Sequence, residues 1–237
     1  MNTDTIRTRK FFNRITVAVL AVIVSLLCTA CNTNAGGGGA PGNNTVSYTQ
    51  VSFAELGNYL TTKASESTVN YIEVTGLTKD AVRGTKEAAS PLSKILKEHP
   101  SKKVALKFDA KIEDLIDMYR TFDGCKNLIR VSGLPEGIEY MTYCFADCEN
   151  LMQAPVIPKS VEGMYQSFYG CTSLKTIVLK CNYNTAKDEE DDPYFKEAFA
   201  GCTALTPGGI KVPAGQLATY QANADVMGVI ADKFAAE

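Results

Sequence analysis

Cysteine is the most chemically versatile residue type in this 237-residue chain, and four of its eight cysteines recur at equivalent positions. Each of the four lies three residues after a phenylalanine and three before a leucine: Cys125, Cys148, Cys171 and Cys202. Such a column could bind metal, form disulfides or bury small apolar thiols. It contains no Cys-x-x-Cys pair, which argues against a zinc ribbon. Identical positions in a packed column favour buried thiols, and we expect no metal site.

Other titratable residues fit structural roles better than catalytic ones. The acidic run 188–192 lacks the alternating Asp spacing of a calcium loop, so it indicates a solvated loop that offers negative charge to a basic partner. The single histidine, His99, ends a predicted helix and suits its dipole as a cap. Glu113 and Asp114 fit a helix start in the same way. Because no nucleophile–base pair is displayed, we expect no enzyme activity, no catalytic residues and no cofactor.

Composition and charge limit the possible partners. Hydrophobic residues make up 45% of the chain and charged residues 21%, which is enough apolar content for a folded core. The formal net charge is −2. The first 30 residues hold four basic and one acidic residue, which leaves 20 basic and 25 acidic residues and a net charge of −5 beyond them. This balance argues against a nucleic-acid partner.

The N-terminus has the pattern of an export signal. Four basic residues precede the apolar run 15–27, which is shorter than the roughly 20 residues that a bilayer span needs. The following Leu-Cys-Thr-Ala-Cys resembles the lipobox of bacterial lipoproteins, and the resemblance implies lipidation of Cys31, which follows the small Ala30. An ordinary cleaved signal and an uncleaved anchor are the alternatives. We therefore predict a lipoprotein signal peptide at 1–30 and a lipidated, flexible Gly/Asn-rich tether at 31–45.

A repeat dominates the second half of the chain. Four segments share the pattern Phe-x-x-Cys-x-x-Leu, and their phenylalanines are 23, 23 and 31 residues apart. The predicted structural ladder comprises the three columns of these segments: Phe122, Cys125, Leu128, Phe145, Cys148, Leu151, Phe168, Cys171, Leu174, Phe199, Cys202 and Leu205. A period of 20–29 residues with recurrent leucine predicts a leucine-rich solenoid. The leucines are expected to begin strands, and a Met or Phe four residues before each ladder phenylalanine predicts a helical turn.

These patterns predict an α/β fold, a short leucine-rich-repeat solenoid of about 23-residue repeats with an N-terminal α/β cap and a C-terminal helical cap. The predicted regions are an N-terminal cap with first coils at 46–108, repeats at 109–209 with an acidic surface insertion at 182–193, and a C-terminal strand and helical cap at 210–237. Within the first cap, Ser52 and Glu55 have capping-box spacing. The predicted helices are 53–63, 91–99 with Ser90 as its N-cap, 214–222 and 225–234. The predicted strands are 69–74, 103–108 and 210–213.

The pattern Phe-x-x-Cys-x-x-Leu…Ile-Pro…Val-x-x-Met, over residues 103–223, resembles the BspA-like (treponemal-type) leucine-rich repeats of bacterial surface lipoproteins. The resemblance implies a monomeric adhesin or protein-binding module, anchored by lipid to the bacterial outer membrane and displayed on the cell surface. Its implied partners are host or bacterial surface macromolecules, chiefly proteins. The alternative function is a periplasm-facing lipoprotein that scaffolds an envelope complex.

Solenoids of this type usually bind through the surface made by their adjacent strands. Positions after the ladder leucines are therefore the predicted ligand-binding residues: Arg130, Gln153, Lys175 and Thr176. Large amphipathic side chains suited to protein contacts are added by four tyrosines: Tyr143, Tyr165, Tyr169 and Tyr183.

Overall fold

A computed structural model describes residues 46–108 and 112–237 of the chain. The features below all belong to the compact unit of residues 45–237. The predicted signal peptide, the predicted lipidation site Cys31 and the predicted tether lie outside the described residues. In the described part of the chain, no helix is long and apolar enough to cross a membrane.

The N-terminal region forms a parallel four-stranded sheet with the strand order β1-β2-β3-β4. Its strands are β1 (Thr49–Ser52), β2 (Asn70–Thr75), β3 (Val104–Phe108) and β4 (Leu128–Ser132). Three helices lie between the strands along the chain: α1 (Leu56–Thr62), α2 (Lys79–Val82) and α3 (Pro91–Lys97). The predicted strand–helix–strand arrangement is confirmed, because β2 and β3 pair in parallel. Alternate residues of β2, including Ile72 and Val74, are fully buried and join the core.

Local capping explains where α3 begins. The Ser90 side chain accepts a hydrogen bond from the Ser93 amide at 3.0 Å, and Pro91 occupies the first turn as predicted. The predicted capping box at Ser52 does not form, since the Ser52 side chain makes no cap hydrogen bond. A 3-10 turn, Phe53–Glu55, precedes α1 instead.

The end of α3 is held by two side chains. His99 Nδ1 lies 2.9 Å from the Ile95 carbonyl oxygen, and its Nε2 lies 2.9 Å from Thr61 Oγ1. The buried Asn127 amide donates to three backbone carbonyls between residues 96 and 102, at 2.9 to 3.2 Å. The His99 contact serves a carbonyl of the last helical turn, and the Asn127 amide joins the end of the helix to the loop that follows it. His99 therefore has the helix-end position that its spacing predicts.

Successive repeats pack directly on one another. The four repeats are numbered in chain order by their ladder phenylalanines, which are Phe122, Phe145, Phe168 and Phe199. All four of these side chains are fully buried. Their rings stack nearly parallel at centroid distances of 5.2, 5.0 and 5.7 Å. The cysteine and leucine columns are buried alongside them. Each repeat therefore covers the apolar face of its neighbour, which one repeat alone could not bury.

The backbone before and after each ladder phenylalanine differs from the prediction. No helix forms there. Residues two positions before the ring have positive φ angles of 47° to 54°: Arg120, Tyr143, Gln166 and Glu197. Residues two positions after it are also left-handed: Gly124, Asp147, Gly170 and Gly201. This alternation directs every second amide toward the next repeat. The Met118 amide, for example, donates to the Tyr140 carbonyl at 2.8 Å, and the Met141 amide donates to the Gly163 carbonyl at 2.9 Å. A helix would instead have directed these amides to its own carbonyls.

The strands after the first repeat are shorter than predicted. Leu128 begins β4, but Leu151, Leu174 and Leu205 begin no strand. The second repeat keeps only isolated parallel bridges, including Ile157 to Leu179. Its strand segment contains Pro155 and Pro158, which have no amide hydrogen to donate to a ladder.

The C-terminal region closes with a second parallel sheet of order β5-β6-β7. Its elements are β5 (Ile177–Val178), β6 (Ile210–Val212), α4 (Leu217–Ala222) and β7 (Phe234–Ala236). The predicted helix over 225–234 is wrong, because this segment forms turns, a 3-10 turn at Ala231–Lys233 and β7. Gly228 at φ 77° interrupts any helix, and β7 supplies partners to the edge of β6 while burying Phe234. The helical part of the cap is thus limited to α4 and the 3-10 turns.

Candidate binding surfaces

The predicted strand-face residues occupy two places. Arg130 lies half-buried in β4 and pairs with Gln153 through a parallel bridge, so the structure brings these two together. Its Nε donates to Ser132 Oγ at 3.0 Å. Lys175 and Thr176 are exposed and immediately precede β5 in the other sheet.

Part of this strand face is covered by the chain itself. The Tyr48 hydroxyl lies 2.8 Å from Ser132 Oγ on β4, and its ring packs edge-on against Tyr71 on β2 at 5.6 Å. A side chain that touches both β2 and β4 must cross β3 between them. Ala105 of β3, which pairs with Tyr71 in the sheet, is accordingly only 1% exposed. The face around Arg130 is therefore not fully open to a partner.

A second surface lies on the turn side of the repeats, away from the strands. It is a cavity of about 470 Å³ that we call the tyrosine cleft. Five half-buried tyrosines line it: Tyr119, Tyr140, Tyr143, Tyr165 and Tyr194. Acidic residues of the insertion form one side of it: Asp188, Glu189, Glu190 and Asp192. Each tyrosine precedes a ladder phenylalanine by two to five residues, so stacking of the repeats brings all five together.

The central ring pair of the cleft depends on a glycine. Tyr140 and Tyr194 both lie five residues before a ladder phenylalanine, in the second and fourth repeats. The third repeat has Gly163 at the equivalent position. A Cβ atom there would lie 2.9 Å from Tyr140 Cδ1 and 3.8 Å from Tyr194 Cγ. The missing side chain lets the two rings meet edge to face at 6.0 Å, across the intervening repeat.

Each of the three remaining rings of the cleft has a cation of this chain over its face. Arg83 lies 5.7 Å from the centre of the Tyr119 ring, and Arg120 lies 5.5 Å from that of Tyr143. Lys196 lies 5.8 Å from the Tyr165 ring. These distances are within the range of cation–π attraction. Tyr140 and Tyr194 receive no such cation from the residues that the structure describes.

Burial raises the pKa of four of the cleft phenols. It raises the pKa of Tyr119, Tyr140 and Tyr165. Burial and the neighbouring Tyr165 phenol raise the pKa of Tyr143 to about 12. At neutral pH these four side chains therefore present neutral hydroxyl groups, which donate and accept hydrogen bonds, rather than phenolate charges.

The acidic insertion is an ordered, exposed turn, as predicted for a surface loop. Asp188 Oδ1 accepts the amides of Glu190 and Asp192, both at 2.9 Å. Lys187 and Lys196 pair with Asp191 and Asp192 at 2.8 and 2.5 Å. The loop leaves the ring stack intact, since the third and fourth ladder rings still lie 5.7 Å apart. In the described ranges, no group of three or more His, Cys, Asp and Glu side chains could hold a metal ion.

Two carboxylates of this turn form neither an ion pair nor a side-chain hydrogen bond with any described residue. They belong to Glu189 and Glu190, which are exposed. They leave uncompensated negative charge at the edge of the cleft, while the aspartates hold the shape of the loop through amide contacts and lysine pairs.

The four tyrosines predicted as contact residues lie in three different environments. Tyr143 and Tyr165 line the cleft, whereas Tyr169 is 41% exposed and does not. Tyr183 is a core residue that packs against Phe195 at 5.1 Å and Tyr220 at 5.6 Å, so its prediction as a contact residue is wrong. Sequence reasoning missed the other three tyrosines of the cleft. The shared position of Tyr140 and Tyr194 five residues before a ladder ring was the signal that could have found two of them.

The six described cysteines are free and buried. In the column, the thiols of Cys148, Cys171 and Cys202 each donate to the carbonyl of the ladder phenylalanine in the previous repeat, at 3.0 to 3.1 Å. Burial raises the pKa of Cys125 to about 11 and that of Cys202 to about 12. Buried, protonated thiols are poor nucleophiles and metal ligands, so their contribution here is packing and a weak hydrogen bond.

Comparison of the chain with protein-family models, with curated proteins and with solved structures finds no match.

Proposed function

We propose that the chain is a lipid-anchored, cell-surface protein-binding module of the BspA-like type, built on a leucine-rich-repeat solenoid, and that it acts without catalysis. The observation that carries the proposal is the tyrosine cleft with exposed carboxylates at its edge. Tyrosine is enriched at the energetic centres of protein interfaces, because its ring buries apolar area while its hydroxyl stays hydrogen-bonded.

Rigidity of the cleft supports binding as its role. The rings are positioned by direct amide–carbonyl bonds between repeats, for example from the Met164 amide to the Tyr194 carbonyl at 2.8 Å. A side chain that is already ordered loses less entropy when a partner binds. The proposed lipid at Cys31 and the Gly/Asn-rich tether would present this surface at a distance from the membrane.

Two substitutions in the cleft test its role in binding. Cells that display the full chain are applied to a panel of immobilised matrix and bacterial surface proteins. We expect Tyr143→Leu and Tyr165→Leu each to weaken retention of the cells, while Tyr169→Leu, an exposed tyrosine outside the cleft, leaves it unchanged. Equal retention by all variants would reject the cleft as the binding surface.

The anchor and the location need separate tests. Cys31→Ser should abolish acyl labelling and Cys28→Ser should not. Protease treatment of intact cells should remove the protein if it is displayed outside. Protection until the cells are permeabilised would favour the alternative, a lipoprotein that scaffolds a periplasmic complex.

A further inference from the structure

We infer that the tyrosine cleft takes a lysine- or arginine-bearing segment of its protein partner, with the cation held against Tyr140 and Tyr194 and paired with Glu189 and Glu190. This inference rests on the proposed protein-binding function and names the chemistry of the partner.

The rings of the cleft already hold cations from this chain. Three of the five tyrosines have an arginine or lysine within 5.8 Å of the ring centre. Such contacts form because the face of an aromatic ring is electron-rich. Tyr140 and Tyr194 have the same chemistry and lie in the same cavity, yet no described cation covers them. Tyr140 and Tyr194 are therefore the two rings of the cleft on which a cation from a partner could bind.

The charge at the cleft edge complements such a cation. Lys187 and Lys196 pair with the aspartates of the turn, whereas Glu189 and Glu190 stand exposed and without an ion pair among the described residues. The cations over the rings, Arg83, Arg120 and Lys196, each pair with an aspartate. Among the described lining charges without an ion pair, the single cation Lys86 therefore faces three carboxylates, those of Asp188, Glu189 and Glu190. A basic segment is attracted by this balance while an acidic one is repelled.

The ring geometry argues against a glycan as the occupant. A sugar ring stacks on an open, flat aromatic face. In the cleft, however, neighbouring rings meet at interplanar angles of 68° to 89°, so that the edge of one ring faces the plane of the next. A compact cation needs only one ring face or the angle between two rings, and this arrangement provides both.

The binding test uses the full chain, solubilised in detergent, and three fluorescent probes. These are an eight-residue peptide of alternating lysine and serine, the corresponding glutamate–serine peptide, and the neutral sugar cellohexaose. We expect the lysine peptide to bind and the other two not to bind. Binding should weaken as salt rises, because the carboxylates at the edge are exposed. Binding of cellohexaose in preference to the lysine peptide, or no binding of the lysine peptide, would overturn the inference.

Charge variants separate the cleft from general electrostatic attraction. Glu189→Gln with Glu190→Gln should weaken the lysine peptide about fivefold, as loss of two exposed ion pairs implies. Glu136→Gln with Asp225→Asn removes the same net charge at exposed positions outside the cleft, and we expect no change. Equal weakening by both pairs would show that binding is non-specific and would refute the site.

Ring variants test the aromatic half of the site. Tyr140→Phe keeps the ring face and should bind the lysine peptide nearly as tightly as the original chain. Tyr140→Leu removes the face and should weaken binding about threefold to fivefold. Unfolding temperatures measured in parallel identify a variant that fails to fold, and the exposed Glu189/Glu190 pair then remains decisive because no described packing depends on it.

The same variants distinguish failure of this inference from failure of the proposed function. If Tyr143→Leu abolishes retention on the protein panel while the lysine peptide never binds, the cleft binds protein but not through a cation. If the cleft variants leave panel retention unchanged, the binding function of the cleft itself is refuted.

Discussion

The stacked rings allow a quantitative test of how the repeats hold together. Phe145 is fully buried between two ladder rings, at 5.2 Å from Phe122 and 5.0 Å from Phe168. Phe145→Leu removes both ring contacts and leaves a small void. Aromatic pairs contribute about 0.5–1.5 kcal/mol each beyond area burial, so the two contacts account for about 1–3 kcal/mol. A void of roughly 20 Å³ adds about 0.5 kcal/mol. The expected loss of unfolding free energy is therefore about 1.5–3.5 kcal/mol.

The matched control is Phe199→Leu at the end of the stack. Phe199 is equally buried but stacks on a single ladder ring, Phe168, at 5.7 Å. Its expected loss is about 1–2 kcal/mol, which is smaller by one ring contact. The void term is similar in both variants, so the difference between them isolates the additional ring contact.

The assay is urea unfolding of the full chain followed by circular dichroism. The midpoint should fall further for Phe145→Leu than for Phe199→Leu, with an unchanged slope, because the slope reports the surface exposed on unfolding. Equal losses in the two variants would refute the claim that ring stacking adds to burial. A reduced slope would show instead that the repeats unfold separately.

Three further predictions follow from the described contacts. Gly170→Ala should destabilise the protein more than Gly137→Ala in thermal unfolding: both glycines have positive φ, but a Cβ at Gly170 meets a carboxylate of the preceding repeat, whereas Gly137 has open space. Tyr48→Phe should lower the free energy of unfolding by about 0.5–1.5 kcal/mol in urea, because it removes the hydroxyl contact to β4. The free energy of unfolding should fall above about pH 9. At that pH the unfolded chain releases thiol protons that the folded chain retains, because burial raises the pKa of Cys125 to about 11 and that of Cys202 to about 12. Unfolding temperatures from pH 6 to pH 10 check this, and we expect no thiol-dependent change below about pH 8.

Column identity made the packing of the repeats predictable. Phenylalanine, cysteine and leucine recur in register, and residues that share a position in stacked repeats share an environment. The same reasoning placed the insertion outside the stack, because eight additional residues could be accommodated only at the surface. The assignment of α3 also held, because Ser90 and Pro91 carry local start signals.

Local spacing was ambiguous where the predictions were wrong. An apolar pair at i and i+4 fits one turn of helix. It fits equally well the backbone that is present, in which a left-handed residue lies two positions before Phe122 and before Phe145. The choice is made by the neighbouring repeat, whose carbonyls accept the outward amides. Residues 225–234 have helical spacing too, yet the unpaired edge of β6 recruits their end as a strand. In both cases a long-range hydrogen-bond partner outweighed a weak local preference.

The sequence by itself determined the repeat period, the buried columns and the acidic insertion, because each of these follows from the types of residue at fixed positions in the chain. Only the tertiary structure decided which surface is open. It places Tyr48 across the strand face, and it brings Tyr140 and Tyr194 together over Gly163 from repeats that are not adjacent. Both outcomes depend on how the repeats stack in space. The stacking geometry sets contacts between residues tens of positions apart, and no local pattern encodes them.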